Sequence, residues 1–463
     1  AKIRVMVGVA LLTAVATAGW AGGARPLAMR ATSQVRMVAI GMPQVAPALA
    51  EAPVADADAW VHTVDLDAFQ KDVMALGRKL KAEQGDDDMA HLSKIIDWSN
   101  MCGAVGVATM LLPLNPLTVV ALSTWTMSRW TMIAHHTCHG GYNQGQDERF
   151  NSRVFAVGGP LRRAADWFDW MLPEAWNVEH NNLHHYRLGE AQDPDLVERN
   201  LDVLRQIPLP FVAKRAAVLG IAAIWKWFYY APNTYKQLKI AEAKKNGTPL
   251  EEGVDPESAL TLNLFLPGFQ KAGESNGVNG VEFMLKVMLP YLIGHFVLLP
   301  LPFVAAGAAL GLAPVATLAV NAVQNLLIAD VISNIHSFII IATNHAGDDL
   351  YRFEKGPARV NSGTWYMRSV VSSANFKTGG DVNDFLQGWL NYQIEHHVWP
   401  NLSMLSYQKA APQLRELCEK HGVPYVQENV FLRLNQLTNI MIGKTSMREY
   451  KPEWEKEDDF VPA

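Results

Sequence analysis

The sequence predicts an all-α integral membrane protein with two hydrophobic helical hairpins, about four transmembrane helices, and a helical cap on one membrane face. Three observations support this prediction. Apolar residues make up 49% of the 463 residues, they concentrate in two paired runs, and histidines cluster just outside these runs. The net charge of -5 gives no indication of a nucleic-acid partner. Three scattered cysteines are too few for a disulfide framework.

Residues 1–42 are predicted to be a targeting presequence. Lys2 and Arg4 precede an apolar run that ends near Ala16, and small residues follow, which is the layout of a secretory signal. The next stretch has Arg, Ser and Thr but no acid, as transit peptides do. In series, the two resemble the bipartite plastid presequence of algae with complex plastids, with AGWA at residues 18–21 as the junction. The predicted location is therefore a plastid membrane, thylakoid or envelope. A signal anchor or a disordered tail, with residence in the endoplasmic reticulum, is the alternative.

Residues 43–97 are predicted to form a linker and an amphipathic lead-in, since Ala and Pro dominate residues 43–58. The first hairpin follows at residues 98–133, broken by Pro113 and Pro116. Its two helices are each expected to be under about 20 residues, so full spans and re-entrant helices both remain open. The second hairpin, residues 283–312 and 314–342, is long enough to cross a bilayer.

The segment 211–230 is predicted to be an interfacial helix, because basic residues flank a short apolar stretch that ends in WKWFYY. A buried helical core in a soluble protein is the alternative to all of these membrane assignments. If both hairpins cross the membrane and return, the segments after, between and beyond them share one face. All three histidine clusters fall in these segments.

The clusters have regular spacings. His135 and His139 are four residues apart, as are His180 and His184, so each pair is expected on one helix face. The third cluster is QIEHH at residues 393–397. Imidazole suits Fe, Cu, Zn and Ni, so the residue type does not identify the metal. Eight clustered imidazoles exceed the coordination sphere of one ion and indicate two.

In order, HxxxH, HxxxHH and QxxHH closely resemble the three histidine boxes of membrane fatty-acid desaturases, over residues 98–405. The third box resembles that of front-end and cyanobacterial-type acyl-lipid desaturases. The resemblance implies that O2 and two electrons, at two histidine-bound Fe ions, place a cis double bond in an acyl-lipid substrate. No His-Pro-Gly-Gly haem motif is present, which favours a separate donor such as ferredoxin over cytochrome b5. Residues 406–463 are expected to pack on or beside the cap.

The resemblance also implies the iron ligands. Desaturases take a further histidine from the end of their last membrane helix, where His336 and His345 are candidates. Nine positions apart, these two lie on opposite helix faces, and His345 is at the helix end on the side of Asp330 and Asn334. The complete expected set is His135, His139, His180, His184, His185, His345, His396 and His397.

Five further residues are expected beside the ligands rather than among them: His136, Gln393, Asn334, Asp193 and Asp195. The two aspartates could orient ligating imidazoles, although Asp193-Pro194 is equally a common turn start. His136 points about 100° away from His135 round a helix, so a role as ligand, contact with solvent and a contact beside the ligands all remain open for it. Cys138 is expected to be a packing residue.

Two rival functions remain open from the sequence. The boxes alone do not separate desaturation from hydroxylation or ketone formation on an acyl, sterol or carotenoid substrate. A non-enzymatic membrane transporter or metal-binding protein is a different class, for which Asp330 in mid-span is the one supporting residue. Chain length, bond position, acyl carrier and oligomeric state are not determined by the sequence.

Overall fold

The structure, a computed structural model, describes residues 57–157, 159–167, 171–261 and 277–460. The predicted presequence and most of the linker lie outside the described residues. The chain from Trp60 onward forms one unit. Within it the described residues are mostly helical.

The first hairpin is built from longer helices than the sequence predicted. After a 3-10 turn at Ala59–His62, helix α1 spans Leu66–Ala82 and α2 spans Asp86–Thr109. Helix α3, Pro116–Ser128, continues through a π-helical turn, Arg129–Ala134, into α4, His135–Cys138. The 24 residues of α2 give a length of about 36 Å. The prediction was too short because α2 begins twelve residues before Trp98 with three acidic residues, and because the first histidine box belongs to the same helix as α3.

The region between the hairpins consists of short helices and one long bent helix. A 3-10 turn at Glu148–Phe150 comes first. The helices are α5 Pro160–Asp166, α6 Pro173–Trp176, a π-helical turn Asn177–His184, α7 His185–Arg187, α8 Val197–Asn200, α9 Asp202–Gln206, α10 Phe211–Trp225, a π-helical turn Lys226–Tyr230, and α11 Ala231–Asn246.

The second hairpin contains two helical segments long and apolar enough to cross a membrane, Gly280–Ala309 and Val315–Ala342. In the segment Gly280–Ala309, only 33% of the most apolar stretch is buried. Most of the apolar surface of this segment therefore faces away from the protein. Its parts are α12 Gly280–Phe283, a π-helical turn Met284–Met288, α13 Leu289–Ile293, a π-helical turn Gly294–Leu298, and α14 Leu301–Ala309. The second segment is one helix, α15.

Asn325 of α15 ties the two hairpins together. Its Nδ2 donates to the carbonyls of Met110 and Leu112 at 3.1 and 3.0 Å, and its Oδ1 accepts from the backbone N–H of Asn115 at 3.2 Å. One amide thus satisfies three backbone groups in the turn between α2 and α3. These groups would otherwise lack partners in an apolar environment.

The rest of the chain forms the cap. Its elements are β1 Tyr351–Phe353, α16 Gly363–Val371, β2 Ala374–Asn375, α17 Asp381–Leu386, a 3-10 turn Leu390–Tyr392, α18 Gln393–Val398, α19 Met404–His421, β3 Val426–Gln427, α20 Val430–Met441, β4 Arg448–Tyr450, and 3-10 turns Pro452–Trp454 and Glu457–Asp459. Strand β1 pairs in parallel with β4, and β2 with β3. Both pairings join the C-terminal residues to segments that precede the third histidine box.

Candidate metal centre

The first histidine box lies at the end of the first hairpin. Because α3, the π-helical turn and α4 form one continuous helix, His135 and His139 lie at its cap end, one turn apart. Nδ1 of His135 lies 3.2 Å from the carbonyl of Thr131, one turn earlier. A carbonyl only accepts, so Nδ1 donates and Nε2 keeps its lone pair. This Nε2 lies 3.0 Å from Nε2 of His180 in the second box.

The second box brings three histidines close together. His180 and His184 were expected on one face by their four-residue spacing, and their rings do stack, 5.3 Å apart between centroids, within a π-helical turn formed by residues 177–184. This turn is wider than an α-helical one, so residues five apart share a face. His180 and His185 accordingly face the same group of imidazoles, with their Nε2 atoms 3.3 Å apart. His184 lies between two sets of donor atoms: it is within 4.8 Å of ligand atoms of His180 and Asp195, and also of those of His345 and His397.

The third box places two adjacent histidines on different sides. In α18, Nδ1 of His396 donates to the hydroxyl of Tyr407 at 3.2 Å, which leaves its Nε2 free to bind a cation. The ring of His397 lies 4.9 Å from that of His345 and 5.0 Å from that of His184. His345 follows the end of α15.

The eight expected ligands thus lie in two adjacent groups, within each of which the nitrogen atoms are all within 4.8 Å of one another. The five-histidine group consists of His135, His139, His180, His185 and His396. The three-histidine group consists of His184, His345 and His397. The rings of His185 and His397 stack at 4.4 Å where the groups meet.

The nitrogen atoms of these groups fit cations. Nε2 of His139 and Nε2 of His396 are buried, and no hydrogen-bond partner for them exists among the described residues. Unpartnered buried lone pairs are costly unless a cation takes them. Burial lowers the pKa values of four of these imidazoles well below the ordinary value for histidine, and the imidazoles are then neutral and able to bind metal at neutral pH. These four are His180, His185, His396 and His397.

Asp193 orients His184. Its Oδ1 lies 2.9 Å from Nδ1 of His184, and its carboxylate also accepts from the backbone N–H groups of Gly189 and Asp195, both at 2.9 Å. Burial alone would lower the pKa of His184, but the charge of Asp193, its hydrogen bond and the charge of Asp195 together outweigh burial and raise this pKa. The same contact lowers the pKa of Asp193 despite its burial. Asp193 therefore holds His184 with Nε2 facing the three-histidine group.

Asp195 plays a different part from Asp193. Its Oδ2 is 4.0 Å from Nδ1 of His184, too far for a hydrogen bond, and its Oδ1 accepts from the hydroxyl of Tyr229 at 3.1 Å. Next to it lies Glu179, which the sequence reasoning missed. Burial, followed by repulsion from Asp195, raises the pKa of Glu179 well above its ordinary value. Its position directly before His180 is the one signal in the sequence.

Gln393 faces the three-histidine group. Its Nε2 is 3.0 Å from Nε2 of His345 and 3.1 Å from Nε2 of His397. Its Oε1 accepts from Nδ2 of Asn344 at 3.1 Å. The same Nδ2 donates to the carbonyls of Ile340 and Leu390, which fixes the orientation of Asn344. Asn344 in turn fixes the amide of Gln393 with its N–H groups toward the imidazoles.

His136, Asn334 and the alternative candidate His336 are not members of either group, but the ring of His136 lies beside the five-histidine group, 4.9 Å from that of His135 and 5.8 Å from that of His396. His136 is fully buried and its Nδ1 donates to the carbonyl of Met132 at 2.8 Å. Asn334, eleven residues before His345, accepts from the backbone N–H of Lys226 at 3.2 Å. Nε2 of His336 donates to the carbonyl of Leu386 at 2.8 Å, on the other side of α15. Cys138 is buried and absent from both groups.

The amino-acid sequence of this chain is similar to those of known proteins. The family model described as "Fatty acid desaturase" matches residues 111–429. The "NADPH-dependent stearoyl-CoA 9-desaturase" of Mycobacterium tuberculosis is 34% identical over 391 residues, which cover 80% of this chain and 78% of that protein. Shorter matches include the chloroplastic "Acyl-lipid (7-3)-desaturase" of Chlamydomonas reinhardtii. It is 32% identical over a stretch that covers 18% of this chain and 17% of that protein. The "sn-1 linoleoyl-lipid 6-desaturase" of Arthrospira platensis is 34% identical over a stretch that covers 14% of this chain and 18% of that protein.

Proposed function

The chain belongs to the fatty acid desaturase family, whose members are oxygen-dependent oxidoreductases, and on that premise we propose that it places a cis double bond in the acyl chain of a membrane lipid at two iron ions. One observation carries the proposal. Eight histidines, six buried and two half-buried, converge in two adjacent groups from three distant segments and the end of α15. Two groups of imidazoles suit two transition-metal ions better than one.

The iron ligands in this proposal are the five-histidine and three-histidine groups. The irons supply the oxidising power that removes two hydrogens from an unactivated –CH2–CH2– unit. The overall balance is one –CH2–CH2–, O2, two electrons and two protons giving one –CH=CH– and two waters. Asp193 holds His184 in the tautomer that ligates, Tyr407 does the same for His396, and Asn344 aims the N–H groups of Gln393 at the three-histidine group.

Two electrons must come from outside the chain's own residues, and we propose ferredoxin as donor in preference to cytochrome b5. The plastid location proposed from residues 1–42 supports ferredoxin, and one relative is chloroplastic by name. The third box, QIEHH, and the named 6-desaturase and Delta(8)-fatty-acid desaturase among the relatives support front-end regiochemistry.

We further propose that both hairpins cross the membrane, with the cap on one side. Support comes from the two long apolar segments of the second hairpin. The arms of the first hairpin carry large exposed apolar side chains, among them Met101, Leu112 and Leu117. Such exposure is unfavourable in water and expected against lipid.

Acyl-chain profiling after expression tests the proposed function. The gene is expressed in yeast and in a cyanobacterium, the latter supplying ferredoxin, and each culture is fed saturated and unsaturated fatty acids. New double bonds, located by dimethyl disulfide adducts and mass spectrometry, are the expected result. Oxygenated acyl chains, sterols or carotenoids would instead indicate hydroxylation or ketone formation. An unchanged profile in both hosts, with folded protein present in their membranes, would favour a transporter or metal-binding protein.

A further inference from the structure

The segment between the second histidine box and the second hairpin is bent into two legs. Helix α10 ends at a kink where Ile224 has non-helical angles, φ -124° and ψ 15°. The chain then continues as a second helix, through the π-helical turn Lys226–Tyr230 and α11. We call α10 the first leg, the turn and α11 the second leg, and residues 224–227 the tip.

The first leg runs antiparallel to α15. At its start, Lys214 and Arg215 bond to α20 and the residue after it, through the carbonyl of Ile442 and the side chain of Asn439. Helix α20 is itself attached to the cap end of α15, where Arg433 donates to the carbonyl of Thr343. At the far end, the ring of Trp225 contacts Phe338 and the backbone N–H of Lys226 bonds to Asn334. The leg therefore descends from the cap along α15.

The second leg returns along the segment Gly280–Ala309. Trp227 contacts Tyr291 at 4.5 Å between ring centroids, and further along the leg Tyr235 contacts Phe283 at 5.7 Å. Lys239 then reaches Glu282 at 3.5 Å, close to the cap end of that segment. Both legs thus open toward the cap, and the tip points away from it.

The tip is fixed near the middle of the second hairpin. Nζ of Lys226 lies 2.8 Å from Oδ1 of Asp330, and the indole N–H of Trp227 and the hydroxyl of Tyr291 donate to the same carboxylate, each at 3.0 Å. Asp330 is fifteen residues from Val315 and twelve from Ala342, or about 22 and 18 Å along the helix. In a bilayer core of about 30 Å, this depth is close to the midplane.

The outer face of the first leg is apolar and uncovered. Val212 is 80% and Leu219 is 71% exposed, and Phe211 and Ile224 are about half exposed. The loop before it, IPLP at residues 207–210, is exposed as well. Lys214 and Lys226 are buried against the partners named above, and Arg215 bonds Asn439. The exposed side chains of the first leg are therefore mainly apolar.

From this geometry we propose that residues 211–246 form a re-entrant helical hairpin whose tip lies in the hydrocarbon core and whose first leg contacts lipid acyl chains. The proposal replaces the interfacial helix expected from the sequence. That expectation treated Lys214, Arg215 and Lys226 as facing water and headgroups, whereas Lys214 and Lys226 are buried. The proposal of a re-entrant hairpin rests on the membrane residence proposed above.

Photoactivatable phospholipids test the proposal on the full chain in nanodiscs. One lipid carries a diazirine at the end of its acyl chain, and the other carries it beside the headgroup. The tail-end label is expected to modify peptides containing residues 216–224 as strongly as those of α15. Capture of this peptide by the headgroup label alone, or by neither label, would overturn the re-entrant hairpin. Failure of the tail-end label on α15 and Gly280–Ala309 would instead refute membrane residence itself.

A matched pair of variants provides the second test. Leu219→Glu puts a charge on the proposed lipid face, and Val203→Glu puts one on α9, where Val203 is 75% exposed. Leu219→Glu is expected to abolish most of the folded protein recovered from membranes, while Val203→Glu yields as much as the wild type. Equal yields from both variants, with equal melting temperatures, would show that Leu219 faces water and would contradict the proposal.

Discussion

At the scale of single residues, each adjacent histidine pair of the second and third boxes sends one imidazole to each group. His184 and His397 enter the three-histidine group, while His185 and His396 enter the five-histidine group. Successive residues on a helix point about 100° apart, so two neighbouring side chains diverge by enough to reach separate cations. The HH dipeptides therefore join the two groups, and a substitution in either dipeptide is expected to affect one cation more than the other.

His345→Ala should remove one iron. The three-histidine group would keep only two imidazoles, and metal analysis of the purified protein is expected to fall from about two irons per chain to about one, since eight imidazoles suit two ions. Acyl product should be lost with it. His336→Ala is the matched control, because His336 bonds the carbonyl of Leu386 outside both groups. Loss of iron from His336→Ala, with His345→Ala retaining two irons, would show that the ligand from α15 has been misassigned.

Asp193→Asn should weaken metal binding by about 10–100-fold, the usual effect of losing a carboxylate that orients a ligating imidazole. The substitution keeps the shape but removes the charge that bonds Nδ1 of His184. Competition with a chelator would measure the change. Asp195→Asn is the comparison, since Asp195 lies too far from His184 to bond it. A larger effect from Asp195→Asn would assign the orienting role to the wrong aspartate.

At the scale of elements, the π-helical turns explain where sequence reasoning succeeded and failed. The four-residue spacing correctly placed His135 and His139 together, because they lie on an α-helical turn. The same spacing placed His180 beside His184, and their rings stack, but it did not indicate that a wider turn also brings His185 next to His180. Hydrogen bonding between backbone groups five residues apart leaves no signature in residue type. The division of the eight candidate histidines between the two groups was therefore not predictable from the sequence.

Asn325→Leu should destabilise the hairpin pair. It leaves two carbonyls and one N–H in the α2–α3 turn without partners, at about 1–3 kcal/mol for each buried group. Asn321→Leu is the matched control, because Asn321 bonds only the carbonyl of Leu111 in the same turn. The apparent melting temperature in detergent, measured at one scan rate, is expected to fall further for Asn325→Leu. An equal fall for both variants would mean that the three hydrogen bonds of Asn325 stabilise the protein no more than the single hydrogen bond of Asn321 does.

At the scale of the whole molecule, the sequence could predict that three distant clusters meet, because two returning hairpins leave them on one side. It could not predict how deep the segment 211–246 reaches. That depth depends on the pairing of Lys226 with Asp330, which are 104 residues apart. The basic residues of the segment had the pattern of an interfacial helix, and only tertiary contacts turn two of them inward. Long-range pairing of this kind has no local sequence signal.

Location decides which donor can reach the centre, so the presequence prediction bears on the whole enzyme. Residues 1–42, placed after an initiating Met and before a fluorescent reporter, should deliver the reporter to the plastid of a secondary-plastid alga. Trp20→Ala should divert it to the secretory route, because the proposed junction needs an aromatic residue. Trp20→Phe keeps the ring and should retain plastid delivery. Reporter in the endoplasmic reticulum with Trp20 intact would contradict the plastid assignment. Cytochrome b5 would then be the donor to test first, since ferredoxin would not share the compartment.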